Sequence, residues 1–431
     1  MFPFLAALLL ASALYYAALL GVFARGFRRV FSSKKSSASP SPEPDADVPF
    51  VSVVVAARDE AGHIERCLDA ILASDYPAGR FEVIVVDDFS RDDTAQRVRR
   101  LIAERRRVPA GAGGEDGIEK IEKTGPASHA LSGREPRGAP EVRLLQMHRV
   151  MAESTGHKRE ALNHGISAAR GPLILTTDAD CTPAPGWIGA MTGPMRSGGD
   201  VAFVAGPVRY RLGGDDGGGA QQESFVRRLF DKAQALEFLA LQAVGAGAIG
   251  LGRPAICNSA NVAYRQRTYE ALYRSETLGA ADDETLIQRI ARETDQRVAF
   301  CPDEAARVET PPADGPRAFL RQRQRWASMT PRYPDTGFTL AVGGLYGFYL
   351  TLLVAAGALF WMPALAGPLA AALGLKVAAE AALLGPACRR FGQPGLLRAL
   401  VPFQPLHIGY VAFIGAAGPL GTTRWKGRTV D

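Results

Sequence analysis

The chain is organised around the segment LILTTDADC, at residues 173–181. Its apolar run is typical of a buried strand, and that strand ends in two carboxylates spaced as Asp-x-Asp. α/β proteins bind ligands beyond the carboxyl ends of parallel strands, where Asp178 and Asp180 would share a divalent cation with phosphate oxygens. A strand that runs into an acidic turn would show the same residues, so this stretch alone leaves both interpretations open.

Two earlier strands give this stretch its context. The run FVSVVVAA at residues 50–57 predicts a strand buried on both faces, and an amphipathic helix follows it. A second apolar run at residues 81–86 leads into Asp87 and Asp88 and then into another helix. Strand, helix, strand, helix indicates an α/β nucleotide-binding sheet. Dinucleotide-binding and P-loop proteins are excluded, because no glycine-rich phosphate loop follows the first strand.

Three later segments carry further polar residues. Lys158 opens the helix GHKREALNHGI at residues 156–166. Asp282 and Asp283 begin a helix in LGADDETLIQRI, where acidic side chains are also natural caps. The segment QRQRW ends at Trp326 and is also what an amphipathic helix on a membrane surface would contain. A long apolar helix at residues 225–251 would either dock on the bilayer or belong to the core.

The first 24 residues contain no charged side chain and are long enough to cross a bilayer as a helix. Arginines follow the apolar run instead of preceding it, which argues against a cleaved signal peptide. By the positive-inside rule the bulk of the chain lies in the cytoplasm. The predicted organisation begins with a membrane helix at 1–24, a basic and Pro/Ser-rich linker at 25–49 and an α/β domain at 50–330 that contains a disordered insertion at 105–140. A membrane region at 337–420 and a basic tail at 421–431 follow.

The C-terminal membrane region divides into three apolar runs, at about 338–361, 365–384 and 399–420. Lys376 and Glu380, four residues apart, would pair inside a helix bundle or mark an interfacial helix. Three full C-terminal spans would place the basic tail outside, against the positive-inside rule. Two full spans and one interfacial element satisfy that rule better.

The remaining composition is less specific. Five cysteines without metal-type spacing are expected to be reduced thiols. The net charge of +6 is partly explained by arginines that flank the membrane segments, and no nucleic-acid-binding motif is present. A transporter is not expected, because the large domain between the apolar regions has a soluble pattern and no inverted repeat of spans is present.

Six segments in order resemble the family 2 glycosyltransferases: VSVVVAARDE, VIVVDDFSRDDT, HKREALNHGI, TTDAD, GADDETL and QRQRW. The last matches the QxxRW signature of membrane-embedded members. The resemblance implies a nucleotide-diphospho-sugar transferase (GT-A-like) α/β fold, with a mixed sheet that has helices on both faces, plus transmembrane helices at the two termini. It also places Asn258 and Asn261 in CNSANVAY on the acceptor side, where they would shape the sugar or acceptor pocket, although Ser259 stands there where the family has glycine.

The resemblance also assigns roles. Ala57, Arg58 and Glu60 would frame the uracil, and Asp87 and Asp88 would contact the nucleotide. Mg²⁺ or Mn²⁺ would bind Asp178 and Asp180 against the diphosphate. Asp283 would be the general base and would lead to inversion of the anomeric carbon. The other residues assigned to phosphate, sugar or acceptor are Lys158, Asn261, Asp282, Gln322, Arg325 and Trp326.

The sequence therefore predicts an inverting, metal-dependent glycosyltransferase of the cytoplasmic (inner) membrane that faces the cytoplasm. Its donor would be a UDP-sugar, its acceptor a lipid or a polysaccharide, and nucleic acid is not an expected partner. The alternative is a membrane-tethered nucleotide-sugar-binding or scaffold protein without activity. Retention of Asp88, Asp178, Asp180 and Asp283 argues against that alternative.

Overall fold

A computed structural model of the chain describes residues 2–32, 48–107, 139–147, 157–197, 199–213, 224–273, 283–329, 335–418, 423–425 and 428–430. The strands, in chain order, are β1 Val51–Ala57, β2 Phe81–Asp87, β3 Glu141–Gln146, β4 Leu173–Asp178, β5 Thr182–Pro183, β6 Val201–Ala205, β7 Val208–Tyr210, β8 Val262–Arg265, β9 Arg297–Phe300, β10 Val308–Thr310, β11 Thr423–Trp425 and β12 Arg428–Val430.

The α-helices outside the apolar segments are α2 Ile64–Leu72, α3 Thr94–Arg107, α4 His157–Ser167, α5 Trp187–Ser197, α7 Gln266–Tyr273, α8 Asp283–Glu293 and α9 Gly315–Met329. Five further helices are long and apolar enough to cross a membrane. They are α1 Phe2–Ser32, α6 Phe225–Gly250, α10 Thr336–Ala358, α11 Ala366–Arg390 and α12 Leu400–Ala417.

The central sheet has seven strands in the order β3-β2-β1-β4-β8-β6-β9. β3, β2, β1 and β4 run parallel, whereas β8 is antiparallel to both of its neighbours. The apolar runs of β1 and β2 are almost entirely buried, as expected for strands covered on both faces. A small sheet, β5-β10-β7, extends the structure on the side of the Asp-x-Asp segment. The predicted mixed α/β sheet is therefore confirmed.

Helix α1 lies at the centre of the apolar helices, because it packs against α6, α10 and α11. Three glycines bring α1 and α6 into backbone contact. A Cβ atom on Gly26 would lie 2.0 Å from the carbonyl oxygen of Gly247, and one on Gly250 would lie 2.2 Å from that of Gly26. Small residues at such crossings let the helix backbones approach closely and gain dispersion contacts.

Two predicted boundaries were wrong because helices continue beyond the apolar or periodic run. The linker was expected from residue 25, yet α1 extends to Ser32. Phe27 and Phe31 of this extension pack against Phe391, and Phe31 also contacts Phe300 of the catalytic sheet. The insertion was expected from residue 105, yet α3 includes residues 105–107. The rest of the linker, 33–47, and of the insertion, 108–138, lies outside the described residues.

The prediction of three C-terminal apolar elements agrees with α10, α11 and α12. Both ends of α12 contact parts of the catalytic domain or its neighbours. A 3₁₀ segment, Pro394–Ala399, leads into α12 and packs against α6 and α11. At the other end, the Nε2 of Gln324 on α9 donates a hydrogen bond of 3.3 Å to the carbonyl of Ala417.

The tail at 421–431 was expected only to be basic. The structure instead pairs β11 and β12 as an antiparallel hairpin, and β11 lies beside α9. This hairpin was not predicted, because two strands of three residues each give too short a pattern to recognise in a sequence.

Helix α6 combines the two interpretations that the sequence left open. Its first turns expose Phe225 and Val226, with 72% and 74% of their surface accessible. Its C-terminal half, from Ala235 onward, is mostly buried between α1 and the catalytic sheet. The helix therefore belongs largely to the core, and it connects the sheet to the apolar helices.

The α1–α6 crossing predicts a strong effect of Gly26→Ala. The new methyl group would overlap the Gly247 carbonyl, so we expect a destabilisation of about 1–3 kcal/mol, which is typical of overpacking. Gly21→Ala on the same helix is the matched control, because its Cβ would meet no atom within 4 Å. Thermal unfolding of the two purified variants in one detergent checks the difference. Equal melting temperatures would contradict the close crossing.

Candidate active site

Three neighbouring parallel strands end together at one edge of the sheet. In the register of β1 with its neighbours, Ala57 pairs with Asp87 on β2, and Ala56 pairs with Asp178 on β4. The carboxyl ends of these strands therefore bring the predicted nucleotide-contacting and metal-binding acids to a common edge, where α/β proteins bind ligands.

The loops that follow β1 and β2 are bonded to each other. The Asp59 carboxylate accepts a hydrogen bond of 2.7 Å from the backbone N–H of Arg91, and the backbone N–H of Glu60 donates one of 2.8 Å to Thr94. Asp59 and Phe89 both have positive φ angles, 50° and 55°, which side-chain-bearing residues seldom adopt. The hydrogen bonds hold these unfavourable conformations in place at the edge of the site.

Arg58 and Asp88, both predicted to contact the nucleotide, are buried beside each other. The Nη1 of Arg58 lies 3.5 Å from Oδ2 of Asp88 and donates a hydrogen bond of 3.2 Å to the Asp88 carbonyl. The backbone N–H of Asp88 in turn donates to the carbonyl of Ala57. In this structure the pair joins the ends of β1 and β2. The neighbouring Glu60 is half-buried.

Asp178 and Asp180 form an electrostatically crowded pair. Burial, together with the nearby carboxylates of Asp178 and Glu60, raises the pKa of Asp180 to about 6. The Nζ of Lys158 donates a hydrogen bond of 2.6 Å to Oδ1 of Asp178. Lys158 therefore supplies positive charge at the place where the acids converge.

The donor set suits a hard divalent cation such as Mg²⁺ or Mn²⁺, which prefers carboxylate oxygens. Burial and the neighbouring carboxylates together raise the pKa of Asp180, and a bound cation would compensate the negative charge of these carboxylates. In the parts of the chain that the structure describes, no group of three or more His, Cys, Asp or Glu side chains is arranged to hold a metal. Asp178 and Asp180 would therefore supply two ligands and leave the remaining positions to phosphate oxygens.

A cavity of about 640 Å³ connects this edge to the apolar helices. Seven of the predicted site residues line it: Lys158, Asp178, Asp180, Asp283, Gln322, Arg325 and Trp326. The same cavity continues along α6, α10, α11 and α12 as far as Tyr16 of α1. Three segments that are far apart in sequence line this cavity together: the QRQRW segment, the Asp-x-Asp segment and the start of α8.

Asp283 is the first residue of α8, so it has the helix-terminal position that capping also predicted. Its half-buried side chain lines the cavity, as do the side chains of its neighbour Glu284 and of the more distant acids Asp178, Asp180, Glu237 and Glu380. Asp282, which was assigned to the acceptor or diphosphate, lies outside the described residues.

Asn261 is not brought to the cavity, which corrects its assignment to the acceptor side. Its side chain is fully buried and accepts a hydrogen bond of 2.8 Å from the indole N–H of Trp187. Its amide donates to the carbonyls of Pro207 and Ala306 at 2.9 and 2.7 Å. These bonds use the amide to join the two sheets. Asn258, Ser259 and Ala260, in the loop before β8, line the cavity instead.

Sequence reasoning missed an ion pair made by Arg323, the first arginine of the QRQRW segment. Arg323 is buried, and its Nε donates to both carboxylate oxygens of Glu237 on α6, at 3.0 and 2.9 Å. Its guanidinium also stacks between the rings of Phe319 and Trp326, 4.6 and 4.1 Å from their centroids. Burial opposes the charge on Arg323, but Glu237 outweighs it and the pKa of the guanidinium is raised. The pair fixes the position of Trp326.

A signal for this pair was present in the sequence. Glu237 is an isolated acid in the apolar C-terminal part of α6, and an acid in such a place needs a cationic partner. The partner was not identifiable, because QRQRW offers two arginines and the resemblance drew attention to the other one, Arg325. The buried thiols near the site carry no such role. Burial raises the pKa of Cys67 and Cys181, which keeps both thiols protonated.

The Glu237–Arg323 pair predicts a large effect of Arg323→Gln. Removal of one partner leaves a buried, uncompensated carboxylate, so we expect a loss of about 3–5 kcal/mol in stability. The double variant Glu237→Gln, Arg323→Gln removes both charges and should recover part of that loss. Thermal unfolding of the single and double variants measures this double-mutant cycle. Arg321→Gln, at an exposed position two residues earlier on α9, is the control. Additive losses in the double variant would contradict a direct pairing.

Comparison with known proteins identifies the family to which the chain is similar. Residues 134–328 match the family described as "Glycosyltransferase like family 2", and residues 52–110 match "Glycosyl transferase family 2". The chain is 27% identical over 164 residues to glycosyltransferase AglE of Haloferax volcanii, which covers 38% of this chain and 40% of AglE. It is also 27% identical over 142 residues to the β-monoglucosyldiacylglycerol synthase of Trichormus variabilis, which covers 33% of this chain and 22% of that protein.

The chain thus spans less than half the length of these two relatives. Among solved structures, the mannosyltransferase PcManGT of Pyrobaculum calidifontis, in complex with GDP-Man and Mn²⁺, superposes with a TM-score of 0.53 at 21% identity. That superposition covers 94% of this chain and 99% of PcManGT, and it shows a shared fold. The two family matches together span more than half of the chain, and on that ground the chain belongs to the family 2 glycosyltransferases.

Proposed function

We propose that this protein transfers a sugar from a nucleotide-diphosphate sugar, with UDP as the nucleotide, to an acceptor that reaches the site from the membrane. One observation carries the proposal: a single cavity holds Asp178, Asp180 and Asp283 at one end and runs between the apolar helices at the other. A soluble acceptor would not need a route of this kind.

The donor end has the charges that a sugar nucleotide requires. Asp178 and Asp180 would hold Mg²⁺ or Mn²⁺, and Lys158 and Arg325 line the same wall as additional cations. When bound, the metal ion supplies positive charge to the diphosphate as it leaves. The relative PcManGT was solved with a nucleotide sugar and Mn²⁺, which supports a metal-dependent reaction here. The choice of uracil rests on the resemblance of Ala57, Arg58 and Glu60 to the uracil-framing segment.

Asp283 is the proposed general base. It would accept the proton of the acceptor hydroxyl as that oxygen attacks the anomeric carbon from the side opposite the diphosphate, so the configuration inverts. Its place on α8 gives it support from the rest of the fold. Gln288, one turn further along α8, is bonded to the carbonyl of Ala255 and to the backbone N–H of Asp335 at the start of α10. The base is thereby tied to the first C-terminal apolar helix.

The contacts of α12 favour a definite orientation in the membrane. Both of its ends contact elements next to the catalytic domain, and the β11–β12 hairpin lies beside α9. A helix that enters and leaves on one side is interfacial or re-entrant. We therefore propose that α1, α10 and α11 cross the cytoplasmic membrane, and that the basic tail stays in the cytoplasm with the catalytic domain, as the positive-inside rule requires.

A lipid-linked acceptor fits this arrangement. Cavity-lining side chains include Leu383, Leu384 and Ile414, so part of the wall is apolar at membrane depth. The relative from Trichormus variabilis is named for synthesis of a glucosylated diacylglycerol, which supports transfer to a lipid. A polysaccharide acceptor would yield a ladder of products, whereas a lipid acceptor yields one glycolipid.

The test is release of UDP by the detergent-purified chain, measured across a panel of UDP- and GDP-sugars with Mn²⁺, Mg²⁺ or a chelator, with membrane lipids supplied. We expect turnover of one donor that the chelator abolishes. Asp180→Asn should remove the metal dependence together with the activity. Asp283→Asn should lower the rate by about 10²–10⁴-fold, because the hydroxyl loses its proton acceptor, while donor binding persists.

Two further variants make the result specific. Asp69→Asn changes an exposed acid on α2 and should leave the rate unchanged. Glu284→Gln changes the other acid at the start of α8 and should cost far less than Asp283→Asn. If Glu284→Gln abolishes turnover and Asp283→Asn does not, the assignment of the base is wrong. If no donor turns over under any condition, the catalytic proposal fails.

A further inference from the structure

The membrane end of the cavity contains a polar group of residues that the reaction at the sheet edge does not use. We call it the bundle cluster; its members are Tyr16, Tyr349, Lys376, Glu380, Gln404 and His407, from α1, α10, α11 and α12. The Nζ of Lys376 donates to Oε1 of Glu380 and to Oε1 of Gln404, both at 2.5 Å. The hydroxyl of Tyr16 donates to Glu380 at 2.7 Å, and the amide of Gln404 donates to its other oxygen at 2.6 Å.

The position of the bundle cluster is costly. Lys376 is fully buried near the middle of α11, a 25-residue apolar helix, and Glu380 follows one turn later. Charged side chains at membrane depth are expensive and usually face a cavity with a function. All members except Lys376 line the cavity that begins at Asp178 and Asp180. The bundle cluster therefore lines the route of the substrate, in addition to joining the helices.

The charges in this part of the cavity are balanced. Lys376 is paired with Glu380, and Arg323, nearer the catalytic end, is paired with Glu237 through two oxygens. Each of these buried cations thus has a carboxylate of its own. A phosphate group would have to displace one of these carboxylates before it could bind, and that would leave a buried carboxylate without compensation. The wall disfavours an anionic group.

The same wall suits a ligand that is neutral and rich in hydroxyl groups. Carboxylate, amide and phenol oxygens have further lone pairs, and hydroxyl groups can both donate to them and accept from neighbouring O–H groups. The rings of Tyr349 and Phe403 lie 5.6 and 5.5 Å from that of His407, and Tyr410 lies 6.2 Å away. These rings form an apolar surface beside the polar groups, and the ring of a sugar has the same two kinds of surface.

We propose that the bundle cluster is a binding site for the neutral sugar headgroup of a glycolipid. The inference rests on the proposed glycosyl transfer and narrows its acceptor. The acceptor would be a lipid that already carries at least one uncharged sugar, so this protein would extend a glycolipid. A reaction that glycosylates a membrane lipid must therefore precede it and supply that acceptor.

The test uses the full chain in phosphatidylcholine nanodiscs. The probes are n-octyl β-D-glucoside below its micellar concentration and octyl phosphate, whose chain length is the same. Each is titrated while the melting temperature is measured, because a ligand that binds the folded state stabilises it in proportion to the logarithm of its concentration. We expect octyl glucoside to raise the melting temperature at concentrations at least about tenfold lower than octyl phosphate does, which corresponds to about 1.4 kcal/mol.

Two nearly isosteric variants connect binding to the cluster. Tyr16→Phe removes one hydroxyl group, and His407→Phe keeps an aromatic ring and removes its nitrogens. Each should weaken the effect of octyl glucoside by about fivefold or more, in line with a hydrogen bond worth about 1 kcal/mol. Phe413→Leu, at a position of α12 that is 56% exposed, is the control and should behave as the parent protein does.

The inference is overturned if octyl phosphate stabilises the protein as strongly as octyl glucoside, or if neither variant changes the response to octyl glucoside. UDP with Mn²⁺ is titrated in parallel as a separate probe of the donor end. If UDP with Mn²⁺ does not stabilise the parent protein, the proposed transfer reaction fails. The comparison of the two octyl probes still decides the sugar site in that case, because it does not depend on turnover.

Discussion

Close packing between α1 and α6 is the interaction on which the rest of the structure depends. Gly26 of α1 and Gly247 and Gly250 of α6 bring the two helix backbones into contact, so no side chain separates them. Beyond this crossing, α6 contacts the catalytic sheet, and α1 contacts α10 and α11. The crossing therefore sets where the sheet edge lies relative to the apolar helices, and with it the path of the cavity that joins them.

This arrangement gives the cavity two chemically different ends. At the sheet edge, Asp178, Asp180 and Glu60 bring three carboxylates together with the single ammonium group of Lys158. Burial and the two neighbouring carboxylates raise the pKa of Asp180. Further along, Glu237 with Arg323 and Glu380 with Lys376 are matched pairs. An excess of carboxylates suits a metal ion and a diphosphate, whereas matched pairs suit a neutral polar group. In the proposed reaction, this charge distribution would separate a donor region from an acceptor region within one cavity.

The parts of this structure that could be predicted from sequence depend on short-range patterns. Buried strands that end in acids, such as β2 before Asp87 and β4 with Asp178, follow from an apolar run and its last residue. The spacing of Lys376 and Glu380 on one helical face indicated either a pair inside a helix bundle or an interfacial helix, and the structure shows the pair. Periodicity also predicted three C-terminal apolar elements, although α1 and α3 continue past the residues at which their patterns end.

The rest depends on contacts between distant segments. Asn261 looked like an acceptor residue because of its motif, yet its amide is used by Trp187, Pro207 and Ala306, which no local pattern reveals. The pairing of Glu237 with Arg323 joins positions 86 residues apart. The described residues that line the cavity come from eight helices and from several strands and loops. Neither the continuity of the cavity nor its two ends could therefore be derived before these elements were placed.

The central claim is that the acceptor reaches Asp283 through the cavity between the apolar helices. Val342 of α10 lines that cavity, whereas a Cβ atom on the adjacent Gly343 would meet no neighbouring atom within 4 Å. The direct test compares Val342→Trp with Gly343→Trp for transfer of radiolabelled sugar into the lipid-extractable fraction. We expect Val342→Trp to lower transfer by about 10²-fold, because a misplaced acceptor loses its alignment with the base. Gly343→Trp should have no such effect. Binding of UDP with Mn²⁺ should be equal in both variants. Full transfer by Val342→Trp would contradict the account, because the acceptor would then reach the base by another route.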